Sequence, residues 1–297
     1  MSEPLARPQR LVFLGTPDLA VAPLRALHAA GYDIALVVTR ADKRRGRGVT
    51  LVPSPVKAAA LELGLRVSDV VDDVLAAGAD LGVVVAFGRI IKPHVLHVLP
   101  MINLHFSLLP RWRGAAPVER AILAGDQVTG VCVMAVEEGL DTGGVYRQAE
   151  TPIGSDESLD ELRSRLVEIG TALMLDALSA GLGEPRAQAG EVTHAAKIDP
   201  VELRLDFTMS AVDVQRHIRL GDAWTTFRGR RLKIWRASLV DASAVRGLDA
   251  GSLDGLLVGT GKGELELIEV QPEGKARQTA VAWRNGARPT SPDRLGV

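Results

Sequence analysis

The sequence predicts an α/β domain, built on a mostly parallel sheet covered by helices, followed by a smaller β-rich domain. Three observations carry this expectation. Short, continuous apolar runs alternate with helical stretches through the first half of the chain, as strands buried on both faces require. A stretch without sustained periodicity, holding Gly183, Pro185, Gly190 and Pro200, then interrupts the pattern. Beyond it, glycine-separated alternating runs replace the apolar blocks. A chain of 297 residues is long enough for two domains that each bury a core.

The elements follow in order. Leu11 to Gly15 reads as a buried strand, and the stretch from Leu19 to Ala30 sets Leu24 and Leu27 on one helical face before Gly31 ends it. Ala35 to Val38 is a second strand, Pro55 opens a helix through Leu63, Leu81 to Ala86 is a third strand, and Pro93 opens a short helix. Met101 to Leu104, Gly130 to Val136 and Val145 to Thr151 extend the sheet. Ser155 and Ser158, each followed by acids, predict a helix from Ser155 to Gly181. Residues 1–187 are thus expected as one domain, 188–205 as a linker and 206–297 as a second domain. That second domain begins with a helix at Ala211 to Leu220 and continues in runs at Thr225 to Leu239, Leu253 to Gly259 and Leu265 to Val270.

Composition narrows the function. Formal net charge is only -1, so the whole molecule does not advertise a polyanionic partner. Residues 206–297 nevertheless carry 14 Lys+Arg against 11 Asp+Glu, which leaves the surplus positive charge at the C-terminal end. Cys132 is the only cysteine, which rules out an intrachain disulfide and disfavours a thiolate metal cluster. The polar stretch from Met1 to Arg10 has no apolar signal core, and no run approaches the ~18 apolar residues of a membrane span, so a cytoplasmic protein is expected.

The chemistry concentrates in one run, Ile102-Asn103-Leu104-His105-Phe106-Ser107-Leu108-Leu109-Pro110-Arg111-Trp112-Arg113-Gly114-Ala115-Ala116-Pro117, with Asp141 following in Glu138-Gly139-Leu140-Asp141-Thr142-Gly143. Asn103 and His105 stand two apart at the end of an apolar strand, so their side chains leave the same face. An amide donor beside an imidazole suits a reaction that builds up an oxyanion, and a carboxylate can tune the imidazole or take a proton. A lone histidine or aspartate would more often be structural. The joint pattern favours catalysis. Val85 to Ile91 ends a central strand, where α/β sheets commonly place ligands. Arg40, Lys43, Arg44, Arg45 and Arg47 fall within eight positions of a glycine-containing segment, and Trp224 to Arg236 interleaves bases with aromatics. Gly15-Thr16-Pro17-Asp18 lacks the spacing of a dinucleotide or triphosphate loop, and His94 and His97 lack a third metal ligand.

Asn-x-His-x-Ser-Leu-Leu-Pro followed by Asp-Thr-Gly resembles the folate-dependent formyltransferases, and Arg111 to Pro117 resembles their methionyl-tRNA branch. The resemblance implies a Rossmann-like formyltransferase domain and an OB-like β-barrel that binds tRNA. It implies formyl transfer from 10-formyltetrahydrofolate, as co-substrate and without a metal, to the free amino group of methionyl initiator tRNA for translation initiation. Asn103 and His105 would stabilise the tetrahedral intermediate, with Asp141 tuning His105 and assisting proton transfer. Ser107, Leu108, Leu109, Pro110, Phe87, Gly88 and Ile90 would hold the folate, with a cis bond at Pro110, and Arg40, Lys43, Arg44, Arg45 and Arg47 would contact tRNA. Phe106 and the run Gly221-Asp222-Ala223-Trp224 depart from what many relatives carry at these places. A monomer is expected. Two other readings keep part of the pattern: a formyltransferase acting on an amino-sugar nucleotide or other small amine, or on water, and a catalytically silent RNA- or folate-binding protein.

Overall fold

Strand directions in this chain follow from its connections. In the computed structural model, which describes residues 7–44, 51–290 and 293–296, the first strands are β1 (Arg10–Gly15) and β2 (Asp33–Val38), joined through α1 (Val21–Ala29). The chain continues through the two-residue strands β3 (Lys43–Arg44) and β4 (Leu51–Val52), α2 (Pro55–Glu62), β5 (Val67–Ser68), β6 (Leu81–Val85), α3 (Pro93–Leu96) and β7 (Met101–His105). Next come β8 (Arg113–Gly114), α4 (Pro117–Ala124), β9 (Val128–Ala135), β10 (Val145–Pro152), α5 (Leu159–Ala180) and β11 (His194–Ala195). Helical crossovers make β5, β2, β1, β6 and β7 parallel neighbours, while β9 runs antiparallel to β7 and β10 antiparallel to β9 at one edge.

Burial explains why these runs are strands. Leu11, Val12, Phe13 and Leu14 are all fully buried, so both faces of β1 are covered. Leu14, Val38, Val84 and Phe87 belong to one core cluster with Val95 and Leu99. The helix expected from Ser155 begins four residues later, at α5. Ser158 accepts from the Glu161 backbone N–H at 3.3 Å, and Glu161 accepts from the Ser158 backbone N–H at 2.8 Å, a reciprocal cap that Ser155 does not form.

The described residues divide into two compact units, each with its own core. The first comprises Met1–Val118, Val128–Pro152 and Arg163–Ala196; the second comprises Glu119–Gln127, Ile153–Leu162 and Lys197–Val297. In the second unit, α6 (Ala211–Arg219) precedes β12 (Trp224–Phe227), β13 (Arg230–Leu239), β14 (Leu253–Asp254), β15 (Leu257–Gly259), β16 (Glu264–Pro272) and β17 (Gln278–Thr279), and α7 (Ala280–Ala287) closes it. These strands form a six-stranded antiparallel sheet whose order runs β12, β13, β16, β15, β14, with β17 on β16. Alternation buries Leu232, Ile234, Leu265, Leu267 and Val270 against Val214, Ile218 and Trp283. Register shifts around Arg236 bend β13 over that core.

Candidate active site

Period-two alternation places Asn103 and His105 at the end of β7, where β6 and β9 flank them; His105 lies opposite Cys132 and Asn103 opposite Met134. The His105 ring is buried, and its Nε2 lies 2.9 Å from the Trp112 carbonyl. A carbonyl only accepts, so Nε2 carries the proton and donates it. That leaves Nδ1 facing the Asp141 carboxylate at 3.7 Å, close enough for an ion pair and too long for a hydrogen bond. Asp141 Oδ2 accepts instead from the Gly114 backbone N–H at 2.8 Å. The Asn103 side-chain amide has no hydrogen-bond partner among the described residues and is only half-buried. It keeps its donors for something else.

The backbone around this pair is unusual. Trp112 has φ +62° and Asp141 φ +51°, both non-glycine residues in the left-handed region, a conformation that costs roughly 1–2 kcal/mol each. Partners from residues 186–196 meet both. Thr193 Oγ1 accepts from the Trp112 N–H at 2.8 Å, and Gln188 Nε2 donates to the Asp141 and Gly143 carbonyls, each at 2.8 Å. Gln188 Oε1 accepts from Arg113 Nε at 3.0 Å and Nη2 at 2.7 Å, and Ala195 pairs with Gly114 where β11 meets β8. The sequence reading missed Gln188 and Thr193, which sit in a stretch with no periodicity to mark them.

The Ser-Leu-Leu-Pro run begins two residues after His105 in the chain. Ser107 is fully buried and donates to the Arg111 carbonyl at 2.6 Å, and the Leu109–Pro110 bond is cis. Leu108 rests on the backbone of β9: a Cβ added to Gly130 would lie 2.6 Å from Leu108 Cδ2. Leu109, Cys132 and Met134 form a small core there. Burial pushes the Cys132 thiol up to about 11, which a hydrogen bond from the Leu109 backbone partly counters. The Phe87 side chain is buried in the sheet core and its carbonyl accepts from Thr16 Oγ1 at 3.3 Å. Gly88 takes φ +68°, and Ile90 is 86% exposed.

The basic segment starts from an anchored base. Buried Thr39 shares a hydroxyl hydrogen bond of 2.7 Å with Ser54, and Lys57 binds Asp42 at 2.8 Å. Arg40 lies against Gly88, where an added Cβ would stand 3.6 Å from its guanidinium, and Lys43 is exposed. The side chain of Arg44, and all of Arg45 and Arg47, lie outside the described residues. In the second unit, Trp224 carries the guanidinium groups of Arg231 at 4.4 Å and Arg204 at 5.8 Å, and Trp235 carries Arg277 at 4.8 Å and Lys233 at 5.2 Å. His94 and His97 pair separately, with Asp72 at 3.3 Å and Glu138 at 3.8 Å.

Two family models match: Formyl transferase over residues 9–178 and Formyl transferase, C-terminal domain, over residues 197–288. A methionyl-tRNA formyltransferase of Symbiobacterium thermophilum is 43% identical, covering 93% of this chain and 92% of its own. One of Clavibacter sepedonicus is 44% identical, covering 93% and 97%. Among solved structures, HypX from Aquifex aeolicus in complex with tetrahydrofolic acid superposes with a TM-score of 0.65 at 16% identity, over 94% of this chain and 47% of that one. This chain therefore spans about half of HypX but nearly the full length of the two curated relatives.

Proposed function

The chain belongs to the formyl transferase family, with methionyl-tRNA formyltransferases among its relatives, and on that premise we propose that it transfers a formyl group from 10-formyltetrahydrofolate to the amino group of methionyl initiator tRNA. The observation that carries this reading is the pairing of an unpartnered Asn103 amide with a His105 ring whose Nδ1 alone is left to face the reacting groups. These residue types fit a formyl donor, whose carbonyl oxygen turns anionic as the amine attacks.

The folate supplies the formyl group; the chain supplies the setting. Asn103 donates to the developing oxyanion, and His105 in its charged form donates from Nδ1. Asp141, already oriented by Gly114, offsets the imidazolium charge and takes the proton shed by the attacking nitrogen, directly or through one water. That proton ends on the departing folate nitrogen, so the protein finishes the cycle as it began. Ser107 to Pro110 and the backbone of Phe87, Gly88 and Ile90 form the folate side of the cleft. Arg40, Lys43, Arg44, Arg45 and Arg47 hold the acceptor arm of the tRNA through its phosphates, and the cation-bearing tryptophans of residues 206–297 add contacts from the second domain. The enzyme works as a cytoplasmic monomer in translation initiation.

The test is formyl transfer from 10-formyltetrahydrofolate to methionyl initiator tRNA, beside methionyl elongator tRNA, uncharged initiator tRNA and an amino-sugar nucleotide. Transfer confined to the charged initiator supports the proposal. Transfer to the sugar amine alone overturns it.

A further inference from the structure

We infer that residues 186–196 act as a positioning strap for the proposed catalytic pair, with Gln188 and Thr193 as its two working side chains. The inference rests on the proposed roles of His105 and Asp141 and adds residues to them. These are positioning residues, since neither is placed to touch a reacting atom.

His105 is oriented through Nε2, whose acceptor is the carbonyl of Trp112. Trp112 is held in the left-handed region, so the direction of that carbonyl is set by a conformation that a tryptophan does not favour by itself. One bond that secures it is the Trp112 N–H to Thr193 Oγ1 at 2.8 Å. Asp141 repeats the situation: its φ is +51°, and its carbonyl receives Gln188 Nε2. Gln188 is itself oriented, because its other end accepts two hydrogen bonds from Arg113, and its second donor position is spent on Gly143. A third tie closes the frame. The carbonyl of Ala195 accepts from Ala115 at 2.9 Å and Ala116 at 3.2 Å, which fixes the turn whose Gly114 N–H holds the Asp141 carboxylate.

Gly114 shows how tight this frame is: its φ is +129°, and an added Cβ would lie 2.7 Å from the Ala195 carbonyl. The strap thus reaches both partners of the His105 and Asp141 pair through backbone groups, and the 3.7 Å separation of Nδ1 and Oδ2 is the distance it maintains. Misplacing a reacting group by about an ångström is enough to cost ~10²-fold in rate.

The experiment compares wild type with Thr193→Val, Thr193→Ser and Gln188→Met. Transfer kinetics are measured with each substrate varied, and exchange of the His105 Nε2 proton with solvent is followed by NMR in protein carrying ¹⁵N-histidine. Valine keeps the shape of threonine and removes the acceptor; serine keeps the acceptor. The expected result is a kcat loss of ~10–10²-fold for Thr193→Val and Gln188→Met, with KM for both substrates within about twofold. Thr193→Ser should stay near wild type, and the imidazole proton should exchange faster in Thr193→Val. A rise in KM at unchanged kcat, a Ser variant as impaired as the Val variant, or an unaltered exchange rate would each overturn the inference. The exchange measurement needs no substrate, so it decides on the strap even if wild type fails to formylate any tRNA, an outcome that would sink only the proposed function.

Discussion

His105 commits one ring nitrogen to the Trp112 carbonyl, so in the proposed reaction its chemistry runs through the other. Replacing it with alanine should lower turnover by about 10²–10⁴ while leaving tRNA affinity nearly unchanged. Equal losses in a filter-binding assay and in kcat would make His105 structural. Opposite it on β9, Cys132 tests the packing of the small core with Leu109 and Met134. Its thiol is raised from an ordinary 9.0 to about 11 by burial, so above pH 9 the unfolded chain gives up the proton first. The folded state then binds more protons, so stability is expected to fall as pH climbs from 9 toward 11, by roughly 2 kcal/mol across the window. Urea melts over that range should show the decline in wild type and a flatter profile in Cys132→Ala; identical profiles would contradict it. Residue types and the two-residue spacing made Asn103, His105 and Asp141 legible in the sequence as candidates. Gln188 and Thr193 were not, because their partners are backbone groups 47 and 81 positions away.

Ser54 serves two elements. It caps α2 by accepting from Lys57 N–H at 3.0 Å and bonds the Thr39 hydroxyl that anchors the basic segment. Ser54→Ala should cost about 2 kcal/mol, a cap of ~1 kcal/mol plus a buried hydroxyl left unpaired. A loss below about 0.5 kcal/mol in chemical denaturation would show that Thr39 finds another partner. At this scale the sequence was readable where periodicity was strong, as in β1, β6 and α6, and unreadable where it was short or directional. Pro117, read only as the end of a motif, opens α4, and Thr279 caps α7 at the end of a stretch that looked wholly β-rich. Apolar runs do not state strand direction either, so the antiparallel edge formed by β9 and β10 emerged only from the pairing.

At the scale of the molecule, a net charge of -1 means that attraction to a polyanion depends on local clusters. Changing Arg40, Lys43, Arg44, Arg45 and Arg47 to glutamine should weaken tRNA binding and flatten its salt dependence, by about 0.7–0.9 in the log–log slope for every phosphate that is no longer neutralised, with KM for folate unchanged. An unchanged slope would remove the segment from the interface. The sequence pointed to two bodies, but not to their membership. Residues 119–127 and 153–162 join the second unit through long-range partners, Arg120 with Glu202 and Asp156 with Gln215, and no local pattern encodes such partners. The edge hairpin carries one further consequence, for the order of folding. β9 and β10 are neighbours along the chain, with Val128 opposite Pro152, whereas Leu11 of β1 must find Leu81 of β6. Closing the shorter loop costs less chain entropy, so the hairpin can assemble before the parallel sheet that will receive it. Asp141 lies in the loop between its two strands. A hairpin formed first would carry the carboxylate with it, and the pair with His105 would then wait for β7 to dock beside β9.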